Sequence, residues 1–354
     1  PYRGLRAFDE ADAASFHGRA TVVDELLEHL STTRFVTVVG ASGSGKSSVV
    51  RAGLVPRLRA SDVVVITMVP GDDPIGALRA ALTEVATRSD LEGAGVTVEA
   101  IDDVARHLGR VVVIIDQFEE CWTRASSEDR EAFVGVISRA VDDLSIDARF
   151  VATVRADLLD RPLEHPRLGP LVAAGMHVLT ALTPAELDEA IVLPAARAQV
   201  HFDEGVLDDL MGEAVTSAGS LPLLQFTLTE LYDRRVDGLI GRAALDAVGG
   251  MAGAIGRRAE EVFLELDAEQ QASARGLFAR LVVPGEGQPD ARRRARLGEL
   301  SPGMRSVADR FVDARLLVFD RDDATREPTL EVAHEALLHR WSRLAGWIHE
   351  DEQW

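Results

Sequence analysis

Lysine is almost missing from this chain: Lys46 is the single one among 38 lysines and arginines in 354 residues, so arginine fills every other cationic position. Cysteine is just as scarce. Cys121 alone excludes an internal disulfide and fits a reducing, cytoplasmic compartment. It follows an acidic pair at the end of a strand-like run, which marks it as a packing residue rather than a redox centre. Positive charge is also in deficit: 58 acidic residues stand against 38 basic ones, a formal net charge of −20. That balance argues against a general nucleic-acid surface, which needs a local positive excess to neutralise phosphates. No apolar run reaches the roughly 18 residues of a membrane span, and the N-terminus carries no signal-peptide pattern, so no membrane association is expected. An initiator methionine is missing too, as expected of a piece of a longer protein. What is present is a globular composition with 46% hydrophobic residues, in a chain long enough for two or three domains.

The one lysine stands in Gly40-Ala-Ser-Gly-Ser-Gly45-Lys46-Ser47, a full match to the phosphate-binding pattern G-x-x-x-x-G-K-[ST]. Arginine does not substitute there, because a planar guanidinium is too wide to reach between β- and γ-phosphate oxygens. The flanks agree with the motif: Phe35 to Val39 reads as a buried strand, and Ser47 onward as a helix. Gly40, Ser42, Gly43, Ser44, Gly45 and Ser48 complete a loop whose backbone N–H groups turn toward phosphate at a helix N-terminus. The Ser47 hydroxyl is the candidate Mg²⁺ ligand.

Strand-like runs at Val63 to Val69, Val111 to Ile115, Phe150 to Val154 and Met176 to Leu179 alternate with helical stretches, which indicates a parallel α/β sheet of five strands. Residues 1–30 read as an N-terminal linker segment and 31–180 as the nucleotide-binding domain. Thr183-Pro184-Ala-Glu186 is a helix start, and 181–247 reads as a helical domain without strands. From 248 to 354, helices are followed by two β runs, Leu316 to Phe319 and Thr329 to Val332, flanking a charged turn; this pattern suggests a winged-helix domain. Pro284 to Pro289 reads as a mobile loop.

Val111 to Ile115 is apolar throughout, so it reads as a strand buried on both faces, and Asp116 emerges at its end where Mg²⁺ is required. Beyond it stand Glu119 and Glu120, either of which suits the base that activates water; Glu120 is preferred, with Glu119 as neighbour or helper. Arg155 ends the next apolar strand at the same sheet edge, suited either to sensing the γ-phosphate or to a plain ion pair with Asp157.

In this order, the motifs resemble those of the STAND class of AAA+-related signalling ATPases, most closely the bacterial novel STAND NTPases. The resemblance is carried by Pro1 to Phe8, Phe16-His-Gly-Arg19, the phosphate loop, Asp116 to Glu120, Thr153 to Asp157, Gly219 to Gln225 and Val332 to Trp341. It implies an AAA+-like P-loop domain, a helical domain and a winged-helix lid around ATP or ADP with Mg²⁺. It further implies that Pro222 packs on adenine, that His334 contacts the β-phosphate of ADP, and that Arg19 lies near the nucleotide. Ala20 stands where many relatives place glutamate. The implied function is a switch: ADP holds it closed, ATP opens it for self-association, and slow hydrolysis resets it. An effector domain before this core and sensor repeats after it are the implied partners. Arg292-Arg-Arg-Ala-Arg296 reads as a solvated face, so nucleic acid is not an expected partner. Two alternatives are a winged-helix transcription regulator and a constitutive P-loop ATPase. Trp341, Leu344 and Trp347 share a predicted helix face, as core or domain-interface residues.

Overall fold

The computed structural model describes residues 1–88, 98–216, 221–283, 285, 290–321 and 327–351, in two compact units. One is Ala7–Glu186; the other joins Pro1–Arg6 to Leu187–Trp354. Much of the loop from Pro284 to Pro289, most of the turn between residues 320 and 327, and Gly219 with Ser220 lie outside the described residues.

The first unit is built on a parallel sheet of β1 (Phe35–Gly40), β2 (Val64–Met68), β3 (Val111–Ile115), β4 (Ala148–Arg155) and β5 (Met176–Val178), ordered β2-β3-β4-β1-β5. These are the five expected strands. Period-2 alternation divides their side chains between two layers. Val111, Val113 and Ile115 pack with Phe35, Phe150 and Phe133 on one face, against helices Pro74–Arg88, Val98–Leu108 and Ser127–Asp142. Val112 and Ile114 pack with Val36, Val38 and Leu54 on the other, against helix Ala20–Thr32 and the helix that follows the phosphate loop. Burial on both faces is why these strands read as unbroken apolar runs rather than as alternating ones. Residues 1–30, read as a linker, here include the 3-10 turn Glu10–Ser15 and the start of the helix Ala20–Thr32. Cys121 is fully buried, and desolvation with the neighbouring Glu120 charge pushes its thiol pKa upward, which makes it inert.

The second unit is mainly helical. It contains two short strands where none was expected, β6 (His201–Phe202) and β7 (Leu239–Ile240), paired in parallel. Two residues are too few to carry a periodic signal, which is why the pattern passed over them. Farther on, β8 (Val282–Val283) pairs with β9 (Ala291–Arg292). Helices Gly250–Leu264 and Ala268–Leu281 precede β10 (Ala295–Arg296), helix Pro302–Asp313, β11 (Leu317–Arg321) and β12 (Pro328–Val332). The last three strands form an antiparallel sheet ordered β10-β12-β11. Trp341 is 1% exposed and central to an aromatic cluster with Phe263, Phe278, Phe311 and Trp347; its Nε1 donates to Glu260 at 2.7 Å. Leu344 is buried too, whereas Trp347 is partly exposed. In the N-terminal segment of this unit, the Tyr2 hydroxyl donates to the Ile191 carbonyl at 2.7 Å.

Candidate nucleotide-binding site

All site elements of the first unit converge at the C-terminal edge of its sheet, the position where open parallel sheets receive ligands. β1 ends at Gly40, where a Cβ would approach within 2.7 Å of the Ser44 hydroxyl. Gly43 and Gly45 take φ of 72° and 91°, left-handed values that favour glycine and turn the loop into the helix. Lys46 begins that helix and is buried. Its ammonium donates to the carbonyls of Gly40 at 2.9 Å and Ala41 at 2.8 Å, and among the described residues no carboxylate is in ion-pair contact with it. Desolvation lowers its pKa most, while the Glu119 charge opposes that shift. Ser42 is exposed on the loop, and the Ser44 hydroxyl is buried without a hydrogen-bond partner. The Ser48 hydroxyl accepts a bond from the Phe8 N–H at 3.1 Å.

The helix does not continue as a plain α-helix. Val49–Leu54 is π-helical before α-geometry resumes at Val55–Arg59. Pro56 supplies no N–H to the Ala52 carbonyl and its ring crowds that oxygen, a physical reason for the wider turn before it.

Asp116 is fully buried at the end of β3. Its Oδ1 accepts from the Ser47 hydroxyl at 2.8 Å and from the Thr153 hydroxyl at 2.6 Å. Thr153 in turn accepts the Gln117 N–H at 2.8 Å, and Gln117 has φ of 57°. The other carboxylate oxygen, Oδ2, lies 2.7 Å from the Arg51 guanidinium. The N–H direction misses it, so Oδ2 accepts no hydrogen bond. A hydroxyl and a carboxylate with one oxygen that accepts no hydrogen bond is a donor set that fits a hard divalent cation, whose remaining ligands would be phosphate and water. Neither Thr153 nor Arg51 was given a role from the sequence, because only the strand order and the π-helical turn place them against Asp116.

The two glutamates diverge. Glu119 accepts the Arg155 N–H at 3.3 Å and interacts electrostatically with Lys46 and Arg155. Burial raises its pKa, and those hydrogen bonds and cations only partly offset the effect. Glu120 accepts the Gly71 N–H at 3.2 Å and meets Arg124 at 3.5 Å. The Arg155 guanidinium is held by Asp157 through two contacts, at 3.1 and 2.7 Å, the ion pair foreseen as its plainer role. Arg19 is 4% exposed and caps helix Ala20–Thr32; its NH2 donates to the Thr180 carbonyl at 2.8 Å, and burial lowers its pKa.

Pro222 and His334 lie in the second unit. Pro222 stands in the first turn of helix Leu221–Asp233. The Nδ1 of His334 accepts the Ala336 N–H at 3.0 Å, which in the neutral ring places the proton on Nε2. Burial holds its pKa below the ordinary histidine value of 6.5.

Among solved structures, the Walker-type ATPase of Pyrococcus abyssi aligns over 96% of this chain and 99% of its own, with 14% identity and a TM-score of 0.53, a likeness of fold. The ORC2 protein of Aeropyrum pernix, in its ADPNP–ADP complexes, covers 95% of this chain and 94% of its own at 13% identity and a TM-score of 0.47. No curated protein matches the sequence. No helix among the described residues is long and apolar enough to cross a membrane. The family model for novel STAND NTPase 1 matches residues 1–354, and with its phosphate loop and Asp116 in place the chain belongs to that family of P-loop NTPases.

Proposed function

We propose that this chain is a cytoplasmic adenine-nucleotide switch that binds ADP and ATP with Mg²⁺ and hydrolyses ATP slowly. The observation that carries the reading is Lys46: the only lysine of the chain is buried in a glycine-bent loop and, among the described residues, bonded to loop carbonyls alone, a contact that phosphate oxygens can replace. The backbone N–H groups of Gly43 to Ser48 add an anion cradle at a helix N-terminus.

In this reading Ser47 and Asp116 hold Mg²⁺, which neutralises phosphate charge when bound. Glu119 accepts the proton of the attacking water. Burial has raised its proton affinity toward what a base needs, and its contacts face Lys46 and Arg155, while Glu120 is committed to Gly71 and Arg124. Geometry thus favours Glu119 over the Glu120 preferred from sequence. Arg155 leaves Asp157 to meet the γ-phosphate. The Arg19 guanidinium, buried and bonded through NH2 to the Thr180 carbonyl, has further N–H donors to turn toward the nucleotide.

The family resemblance supplies the second half. The order helix, helix, strand, helix, hairpin over 250–332 suits a winged helix that acts as a lid. Pro222 packs on adenine and the Nε2–H of His334 donates to the β-phosphate of ADP. A lid that binds ADP and ATP differently has the differential affinity a switch requires. Exchange to ATP opens it for self-association, with effector and sensor domains in the intact protein. The basic run fits a lid better than a DNA reader, because Arg294 and Arg296 are paired with Glu331 and Glu327.

The test is the mass of the protein in solution with Mg²⁺ and either ADP or a non-hydrolysable ATP analogue. A larger species with the ATP analogue alone is expected. Equal mass in both would contradict the switch.

A further inference from the structure

Among the described residues, Arg51 is the one cation within ion-pair distance of the buried Asp116, and it is tethered on two sides. Its NH2 lies 2.7 Å from Asp116 Oδ2, and its NH1 lies 3.5 Å from Asp9 Oδ1. The Asp116 side chain is 1% exposed, against 27% for Arg51 and 63% for Asp9, so the guanidinium bridges a buried carboxylate and a nearly solvated one. Its Nε is buried and accepted by nothing. The π-helical turn carries it, and Arg51 falls four residues after Ser47, on the face that looks at Asp116.

Two further observations show that Arg51 has somewhere else to go. It lines a cavity of about 720 Å³ beside the edge strand β2, walled by Asp9, Glu10, Arg59, Val65 and Glu84 among others. Asp9 caps the 3-10 turn Glu10–Ser15, and the Phe8 N–H just before it is anchored on Ser48, the next residue but one after Lys46. The N-terminal segment is thus pinned to the same helix that bears Lys46, Ser47 and Arg51.

We propose that Arg51 is a built-in counter-ion of the metal position: with no metal it neutralises Asp116, and a divalent cation enters by displacing it toward Asp9 and into the adjoining cavity. A guanidinium and Mg²⁺ cannot both sit against Oδ2 without strong like-charge repulsion at close range. A carboxylate buried without a cation is costly, so the counter-ion keeps the metal-free site folded. The same charge then competes with metal, which sets the Mg²⁺ concentration at which nucleotide binds tightly. Asp9 tunes that competition by offering the displaced guanidinium a second partner, and so couples metal occupancy to the segment Phe8–Phe16. The inference rests on the nucleotide reading above.

The experiment is a titration of fluorescent ADP binding against free Mg²⁺ for the whole chain, with Arg51→Gln and Asp9→Asn beside the wild type. Removing the competitor in Arg51→Gln should lower the Mg²⁺ needed for half-maximal tightening by roughly threefold to tenfold, the scale of one partly screened ion pair. Removing the alternative partner in Asp9→Asn should raise it, about twofold to threefold. The thermal midpoint gives a second readout: Arg51→Gln should be destabilised without metal and recover the difference with Mg²⁺ and ADP. A merely structural arginine would lower the midpoint in both conditions and leave the Mg²⁺ dependence unchanged. Wild-type binding tightened by Mg²⁺, with both variants matching it, would overturn the counter-ion role and leave the nucleotide site intact. No binding of the probe by the wild type at any Mg²⁺ would instead overturn the nucleotide reading, and this inference with it.

Discussion

The Thr153 hydroxyl donates to Asp116 Oδ1 at 2.6 Å and accepts the Gln117 N–H at 2.8 Å, so one side chain of β4 orients the carboxylate and also holds the turn that follows it. Gln117 sits at φ 57°, a conformation that needs such support in a non-glycine residue. Thr153→Val keeps the shape and removes both bonds. The partly buried Gln117 N–H then lacks its acceptor and the buried Asp116 carboxylate a donor, a loss of about 1–3 kcal/mol. Chemical denaturation should show that decrease, with Thr153→Ser close to wild type. A Thr153→Val protein as stable as the parent would contradict the role.

Lys46→Ala and Lys46→Arg should both keep the fold and lose nucleotide. Each charge-assisted bond to phosphate contributes about 1.5–3 kcal/mol, so affinity should fall roughly tenfold to a hundredfold per bond lost. Arginine retains the charge but not the slim geometry, and only 9% of the Lys46 surface is exposed, which leaves little room for a fork. Calorimetric titration with ADP checks this; binding by Lys46→Arg equal to wild type would refute the steric argument.

Glu119→Gln should reduce the single-turnover rate of ATP hydrolysis by roughly 10²–10⁴-fold, the usual contribution of a general base, with ATP still bound. Glu120→Gln should act mainly on stability, since Glu120 accepts the Gly71 N–H and pairs with Arg124. The reverse pattern would return the base to Glu120.

Burial depresses the His334 pKa below 6.5, and its Nδ1 must stay unprotonated to accept the Ala336 N–H. The unfolded chain therefore binds more protons here than the native one as pH falls below the ordinary histidine value, so stability rises with pH through that window and levels off above it. His334→Asn keeps an acceptor for Ala336 but does not titrate. Its denaturation midpoint should depend less on pH between about 5 and 8 than that of the wild type. Parallel pH profiles would show that His334 contributes nothing to that slope.

The five strands, the phosphate loop and Asp116 were legible because each rests on a local signal: unbroken apolar β-rich runs, glycines at fixed offsets, and a carboxylate at a strand end. Thr153 and Arg51 were not, because they reach Asp116 only through the order β2-β3-β4-β1-β5 and the π-helical turn. Neither feature leaves a periodic trace. Glu119 and Glu120 could not be told apart in the sequence because they are adjacent carboxylates of one turn, and only the fold shows that one accepts the Arg155 N–H and the other the Gly71 N–H. The bond that the Ser48 hydroxyl accepts from the Phe8 N–H left no local signal either, because its partner lies 40 residues away.

The most direct test of the whole account is the identity of the nucleotide that remains with the protein after purification without added nucleotide, read by denaturing it and separating what is released. The account predicts near-stoichiometric ADP from the wild type and less from both Lys46→Ala and His334→Ala. An empty wild-type protein that turns over ATP rapidly would contradict the switch and leave a constitutive P-loop NTPase.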